Sequence, residues 1–196
     1  MPAHNLRLLT LVVTIMVVID AISRPLILAL AWLAPSTFNT YVAPIATTVD
    51  GSVIAFKFLT MIVFCRWIYV AGRNLVEAGM DELDFTPASR IWWFIVPVAS
   101  LFKPFQGMRE LWNASRNIWP HDTNETLVSV WWGLWLLNGV VGYFIAVMDE
   151  GRSSLTGVMI SSAIGVVVAA VAIVMIRGIA SGQKQFAGSE LSQVFA

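Results

Sequence analysis

The chain has 196 residues, of which 58% are hydrophobic and 12% charged, a balance outside the soluble globular range and typical of integral membrane proteins. Its formal net charge is zero, so no global basic field points to nucleic acid, and any electrostatic role must come from where individual charges sit. A single cysteine, Cys65, excludes an internal disulfide and a cysteine-rich metal site.

In chain order, the start through Arg7 followed by an apolar run has the outline of a signal peptide, with Ala29-Leu30-Ala31 resembling a cleavage site. Apolar sequence nevertheless continues past Asp20 and Arg24 to Leu33, so residues 6–34 are expected to form an uncleaved first span, stopped by Ala34-Pro35-Ser36. Pro25 removes one amide donor and predicts a kink near the charges. Residues 39–52 read as a polar connection. A second span is expected over 53–72, with Lys57 near its start and Arg66 near its end.

Residues 91–113, I-W-W-F-I-V-P-V-A-S-L-F-K-P-F-Q-G-M-R-E-L-W-N, are apolar enough to enter a bilayer, yet Pro97 interrupts them and Lys103-Pro104 cuts them short. Thr86-Pro87 reads as an N-cap with proline at the first helical position, opening a short helix through Val96. Pro104 opens a second helix over 105–116. There Phe105, Met108 and Trp112 share a face while Arg109, Asn113 and Arg116 lie largely on another, which suits the membrane interface.

Asp122 and Glu125 have the spacing of a capping box ahead of a third span, 127–148. In a fourth, 155–176, Gly157, Ser161, Gly165 and Ala169 recur every four residues. Such a ridge lets another helix approach closely, whether a neighbouring span, a protein partner or a second copy. The expected organisation is one membrane domain over 1–180, with a broken hairpin at 87–116, and a polar tail at 181–196.

Charge position selects the topology. If residues 88–102 return to the side they left, that side holds Arg7, Arg66, Arg73, Arg90, Lys103, Arg109, Arg116, Arg177 and Lys184, and Arg152 alone flanks the other. If they cross, making five spans, the flanking cations divide evenly. The positive-inside rule favours the return: an all-α polytopic protein with four spans and a re-entrant or interfacial hairpin, both termini cytoplasmic, in a bacterial inner membrane. Tryptophan agrees, since the returning arrangement leaves Trp32 alone at the outer boundary.

Two constellations could carry function. Asp20, Arg24 and Lys57 are charges embedded in spans, and antiparallel packing of the first two places them within about 5 Å in depth. Asp20 can pair with Arg24 along its helix or with Lys57 across helices; the arrangement reads either as a structural ion pair or as the site of a small transporter or channel. The second gathers Arg66, Trp67, Arg73 and Asn74 with Lys103, Gln106, Arg109 and Trp112. Guanidinium groups and indoles suit an anionic lipid headgroup or amphiphile. Arg73 with Glu77, and Arg109 with Glu110 or Asn113, can instead satisfy one another.

No enzyme signature emerges. His4 and His121 lack metal-ligand spacing, Cys65 has no histidine near it, and no glycine-rich phosphate loop is present, so a non-enzymatic protein without cofactor or metal is expected.

Three motifs in order, W-I-Y-V-A-G-R-N-L-V-E-A-G from Trp67, the run from Arg90 to Ser115, and W-W-G-L-W from Trp131, resemble a bacterial membrane family known as domain of unknown function 4328. In that family the hairpin commonly ends Asn-Leu-Trp-Arg-Pro-Tyr-Gln; here Ser100, Phe102, Lys103 and Phe105 take the corresponding places, while Pro104, Gln106, Met108, Arg109, Glu110 and Trp112 fit. The resemblance implies a multi-span membrane domain and supplies no activity, substrate or cofactor.

Overall fold

A computed structural model describes residues 6–80, 82–148 and 155–194, without the side chains of residues 146, 148, 155 and 185–194. His4 and Arg152, both used in the sequence reading, lie outside the described residues.

The first span forms helix α1 (Leu6–Leu33), which runs through Pro25 without a break. The connection expected after it is helical instead. A short α2 (Pro35–Thr37), a π turn over Phe38–Val42 and a 3₁₀ turn over Ala43–Ile45 lead directly into α3 (Ala46–Glu77). Thr40 and Ser52 each return a hydroxyl to the carbonyl four residues back, which lets polar residues remain in a helix.

The segment with Pro97 is a hairpin of short pieces. Thr86 caps as anticipated, its hydroxyl accepting the Ser89 amide at 3.1 Å, but α4 (Ser89–Trp92) stops well before Val96. Pro97 supplies no amide and forces the residue before it out of helical geometry, so the chain turns. It reverses at Val98, a β-branched residue held at φ 63°. A 3₁₀ turn (Ala99–Leu101) then opens α5 (Lys103–Ser115), with Pro104 in its first turn.

Helix α6 (Thr126–Met148) starts one turn later than a box capped by Asp122 requires; Glu125 contributes its carbonyl to Ser129 at the helix start. The last helix, α7 (Leu155–Val194), continues as helix through the region read as a tail.

Among the described residues, four helices are long and apolar enough to cross a membrane, and the hairpin is not one of them. The fold is therefore the all-α, four-span arrangement with a broken hairpin. Cross-helix contacts show that the hairpin sits at one end of the bundle. Trp67 on α3 donates to Thr10 on α1 at 3.0 Å, Phe64 meets Trp131 on α6, and Gln183 on α7 donates to the carbonyl of Ala71 at 2.9 Å. The start of α1, the end of α3, the start of α6 and the later part of α7 thus share that end. The core lies there too, built from residues such as Ile68, Leu75, Leu111, Ala114, Met175 and Ile179.

The apolar face of α5 packs against protein, because Met108 and Trp112 point into this core. Its polar residues are used as well. Asn113 donates to the carbonyls of His121 and Thr123 at 2.8 and 2.7 Å, and the Ser115 hydroxyl accepts from Gln183 at 3.0 Å. Close approach is made possible by glycine: a Cβ at Gly178 would collide with the Trp112 ring, and one at Gly182 with the Ser115 carbonyl.

Candidate functional site

Of the cluster read as a headgroup site, three members are structural in position. Trp67 is 0% exposed and bonded to Thr10, Asn74 is buried with its amide 3.1 Å from Gln183 Oε1, and Trp112 is packed beneath α7. Arg73 pairs with Glu77 at 2.8 Å, as one alternative had it. Gln106 is half-buried. At the hairpin end Arg66 is exposed and Lys103 and Arg109 are half-buried, with Arg109 Nε itself buried, and each is laid over an aromatic ring. Arg66 lies 5.5 Å from the Tyr69 centroid, Lys103 5.6 Å from Phe85 and 5.9 Å from Trp93, and Arg109 5.3 Å from Phe105. Arg116 joins them, 4.7 Å from Trp112.

Glu110 does not serve Arg109. It forms a buried ion pair with Arg90 across the hairpin, and its carboxylate also accepts the amides of Asp84 at 2.6 Å and Phe85 at 3.3 Å. Burial lowers the Arg90 guanidinium and raises the Glu110 carboxyl from their ordinary values, with the pair itself opposing both shifts. Arg90 fills the space left by two glycines: a Cβ at Gly72 would come within 2.6 Å of its Nη1, and one at Gly107 within 3.3 Å of its Cγ. Sequence reading counted Arg90 only as a flanking positive charge, since nothing in the spacing marks a partner twenty residues away. The paired glycines were the available signal.

The tip of the hairpin is apolar and exposed, with Trp92, Ile95, Val98, Leu101 and Phe102 facing outward. It lies along α6: the Trp132 indole donates to the Leu101 carbonyl at 2.9 Å, and Phe94 meets the same ring edge-on. Trp132 is the seventh residue of α6, so the tip reaches about 9 Å along that helix from its start. The Lys103 ammonium above Trp93 marks the wet edge of this apolar wedge.

The intramembrane charges come together as one of the two pairings. Lys57 Nζ lies 3.0 Å from Asp20 Oδ2 across α1 and α3, while Arg24, one turn further along α1, has no carboxylate partner among the described residues. All three line a cavity shared by α1, α3, α6 and α7. Gly157, Ser161, Gly165 and Ala169 line it too, so the ridge on α7 borders this cavity, and a Cβ at Gly165 would meet nothing within 4 Å. Sequence reading missed Asn138 and Ser162 in its wall. A lone amide in the apolar run of α6 was a legible signal for the first.

No group of three or more His, Cys, Asp or Glu among the described residues could hold a metal ion. An all-helical, multi-span bundle with a broken hairpin packed on one end defines the class of protein. Within that class, the chain belongs to the family described as Domain of unknown function (DUF4328), whose model matches residues 43–181 and so covers the hairpin and α3 through most of α7. No curated protein and no solved structure matches it.

Proposed function

We propose that the protein is a non-enzymatic component of a bacterial cytoplasmic membrane that holds anionic lipid headgroups at its hairpin end, with that end and both termini on the cytoplasmic side. The observation that carries this reading is that Arg66, Lys103, Arg109 and Arg116 are four cations each seated on an aromatic face. None of the four has a carboxylate partner among the described residues. A guanidinium stacked on a ring keeps its outward N–H edges for a phosphate, and the planar fork suits bidentate contact. The exposed apolar tip beside them supports placement at the headgroup boundary, where anionic lipids add about 1 kcal/mol of attraction per basic residue.

Native mass spectrometry of protein extracted with its lipids tests the reading. Retained anionic phospholipid should fall in an Arg66→Ala, Arg109→Ala, Arg116→Ala variant and persist in Arg73→Ala, whose cation is already paired with Glu77. Equal retention in the triple variant and wild type would remove the proposal.

A further inference from the structure

At the level of Asp20 and Lys57 the bundle is open. The cavity there is about 590 Å³, within the range of roughly 300–1,000 Å³ found for small-molecule sites. α3 packs on α1 and α6 packs on α7, but α3 and α6 do not form a packed pair. They meet at Phe64 and Trp131 toward the hairpin, and beyond that contact the cavity opens sideways between them. Consistent with that mouth, the Lys57 side chain is 54% exposed against 19% for Asp20.

Two independent features distinguish this space from loose packing. With Asp20 matched to Lys57, Arg24 leaves one positive charge without a counter-ion among the described residues at membrane depth, where such a charge is costly. In addition, Asp20 Oδ1, Asn138 Oδ1 and Ser162 Oγ are buried without a hydrogen-bond partner among the described residues, and all three residues line the cavity. Ser162 is only 9% exposed. Native interiors rarely leave such atoms orphaned.

The cavity also has a direction. Lys57 and Asn138 each lie seven residues from the Phe64–Trp131 contact, so they share one level about 10 Å from it. Between that level and the hairpin the wall is mainly apolar, with Phe64, Trp131, Trp135 and Ile176, and the hydroxyl of Thr60 there is spent on the Phe56 carbonyl at 2.9 Å. On the other side Arg24 lies nine residues before the end of α1, about 14 Å from it. Polar groups therefore face the leaflet away from the hairpin, and an apolar dead end faces the hairpin.

We propose that this cavity binds a single-chain amphiphile with an anionic oxygen headgroup, entering between α3 and α6 from the leaflet opposite the hairpin. The headgroup sits on Arg24 and Lys57, with Asn138 and Ser162 offering hydrogen bonds, and the chain runs toward Trp131 and Trp135. Asp20 competes with the headgroup for Lys57, so its neutralisation tightens binding.

The test uses spin-labelled stearic acid with the whole protein in nanodiscs of zwitterionic lipid, reading the motionally restricted fraction by electron paramagnetic resonance. Wild type should show a saturable restricted fraction. Arg24→Gln should weaken it by about tenfold or more, the effect of losing one charge-assisted contact. Asp20→Asn should strengthen it. Gly165→Leu, which adds bulk where a Cβ meets nothing within 4 Å, should block it while thermal stability is kept. The methyl ester of the same probe should not bind.

Equal binding of the ester, or unchanged binding in an Arg24→Gln, Lys57→Gln variant, overturns the proposal. So does displacement by acetate or inorganic phosphate, which would mark a site for free anions, and so does ion flux in liposomes lost with Asp20→Asn, which would mark a conduction path. Arg66, Arg109 and Arg116 do not line the cavity, so each of these outcomes leaves the headgroup reading of the hairpin end intact.

Discussion

At the hairpin end Gly72, Gly107, Gly178 and Gly182 let side chains and backbone touch, whereas Gly142 and Gly165, further along the bundle, face open space. The same residue type does opposite work in the two regions. At the hairpin end the absence of a side chain admits Arg90 and Trp112 and joins α3, α5 and α7 into one core. In the middle it widens a cavity where Asp20 Oδ1, Asn138 Oδ1 and Ser162 Oγ lack partners among the described residues. The polar groups differ in the same sense: Glu110 has a cation and two amides, while Arg24 has no carboxylate among the described residues. Close packing is concentrated where the spans are tied together. Buried polar atoms without a partner among the described residues occur in both regions, Arg90 Nη1, Arg109 Nε and Trp112 Nε1 at the hairpin end and Asp20 Oδ1, Asn138 Oδ1 and Ser162 Oγ at the cavity. Only the second group has open space beside it.

The largest expected effect comes from breaking the dense end. Arg90→Met would leave Glu110 buried without its cation and should cost about 3–5 kcal/mol, read from denaturant unfolding in detergent. Adding Glu110→Leu should restore much of that loss. A single-variant cost near zero would mean that the amides of Asp84 and Phe85 alone suffice for the carboxylate.

Next in size is the contrast between glycines. Gly178→Val or Gly182→Leu must displace the Trp112 ring or the α5 backbone and should cost about 1–3 kcal/mol, while Gly165→Leu should stay within about 0.5 kcal/mol of wild type. Matching losses at Gly178 and Gly165 would erase the distinction between the two regions.

Much of this architecture is legible in the sequence. The four spans follow from hydropathy, and the hairpin from Pro97 with Lys103-Pro104, because proline acts through local backbone chemistry that needs no knowledge of neighbours. The charged spans were legible for the same reason: Asp20 and Lys57 stand out against apolar runs. What the sequence concealed depends on neighbours brought close by folding. Glu110 could have paired with Arg109 beside it; only the return of the hairpin makes Arg90 its partner. Trp67 and Trp112 carry the chemistry of an interface, yet an indole suits a tight core equally well, and the Thr10 hydroxyl beside Trp67 and Gly178 opposite Trp112 decide for the core. A ridge of small residues likewise encodes closeness or emptiness, depending on what stands across from it.

A smaller effect should separate the hairpin tip from the core beneath it. Trp132→Phe keeps an aromatic ring near Phe94 but removes the indole donor to the Leu101 carbonyl, a loss of about 1 kcal/mol. Because that bond ties the tip to α6, hydrogen exchange should rise at Val98 to Leu101 more than at Met108 or Leu111. Uniform acceleration across both would show that tip and core open together.

The smallest expected effect is a pH slope at the dense end. Burial raises the Glu110 carboxyl above its ordinary 4.5, against the pull of Arg90 and the amides of Asp84 and Phe85. The folded chain then keeps this proton at pH values where the unfolded chain has already released it. The resulting stability is full below the ordinary value and declines as pH rises through the folded one. Unfolding midpoints of wild type and Glu110→Gln, followed from about pH 4 to pH 8, should therefore converge or cross in favour of the variant as pH rises, then run parallel. The opposite slope, with wild type gaining on the variant, would show that Arg90 outweighs burial and holds the carboxylate ionised. In that case the dense end is secured chiefly by attraction across the hairpin, with the exclusion of water a lesser influence on the pair.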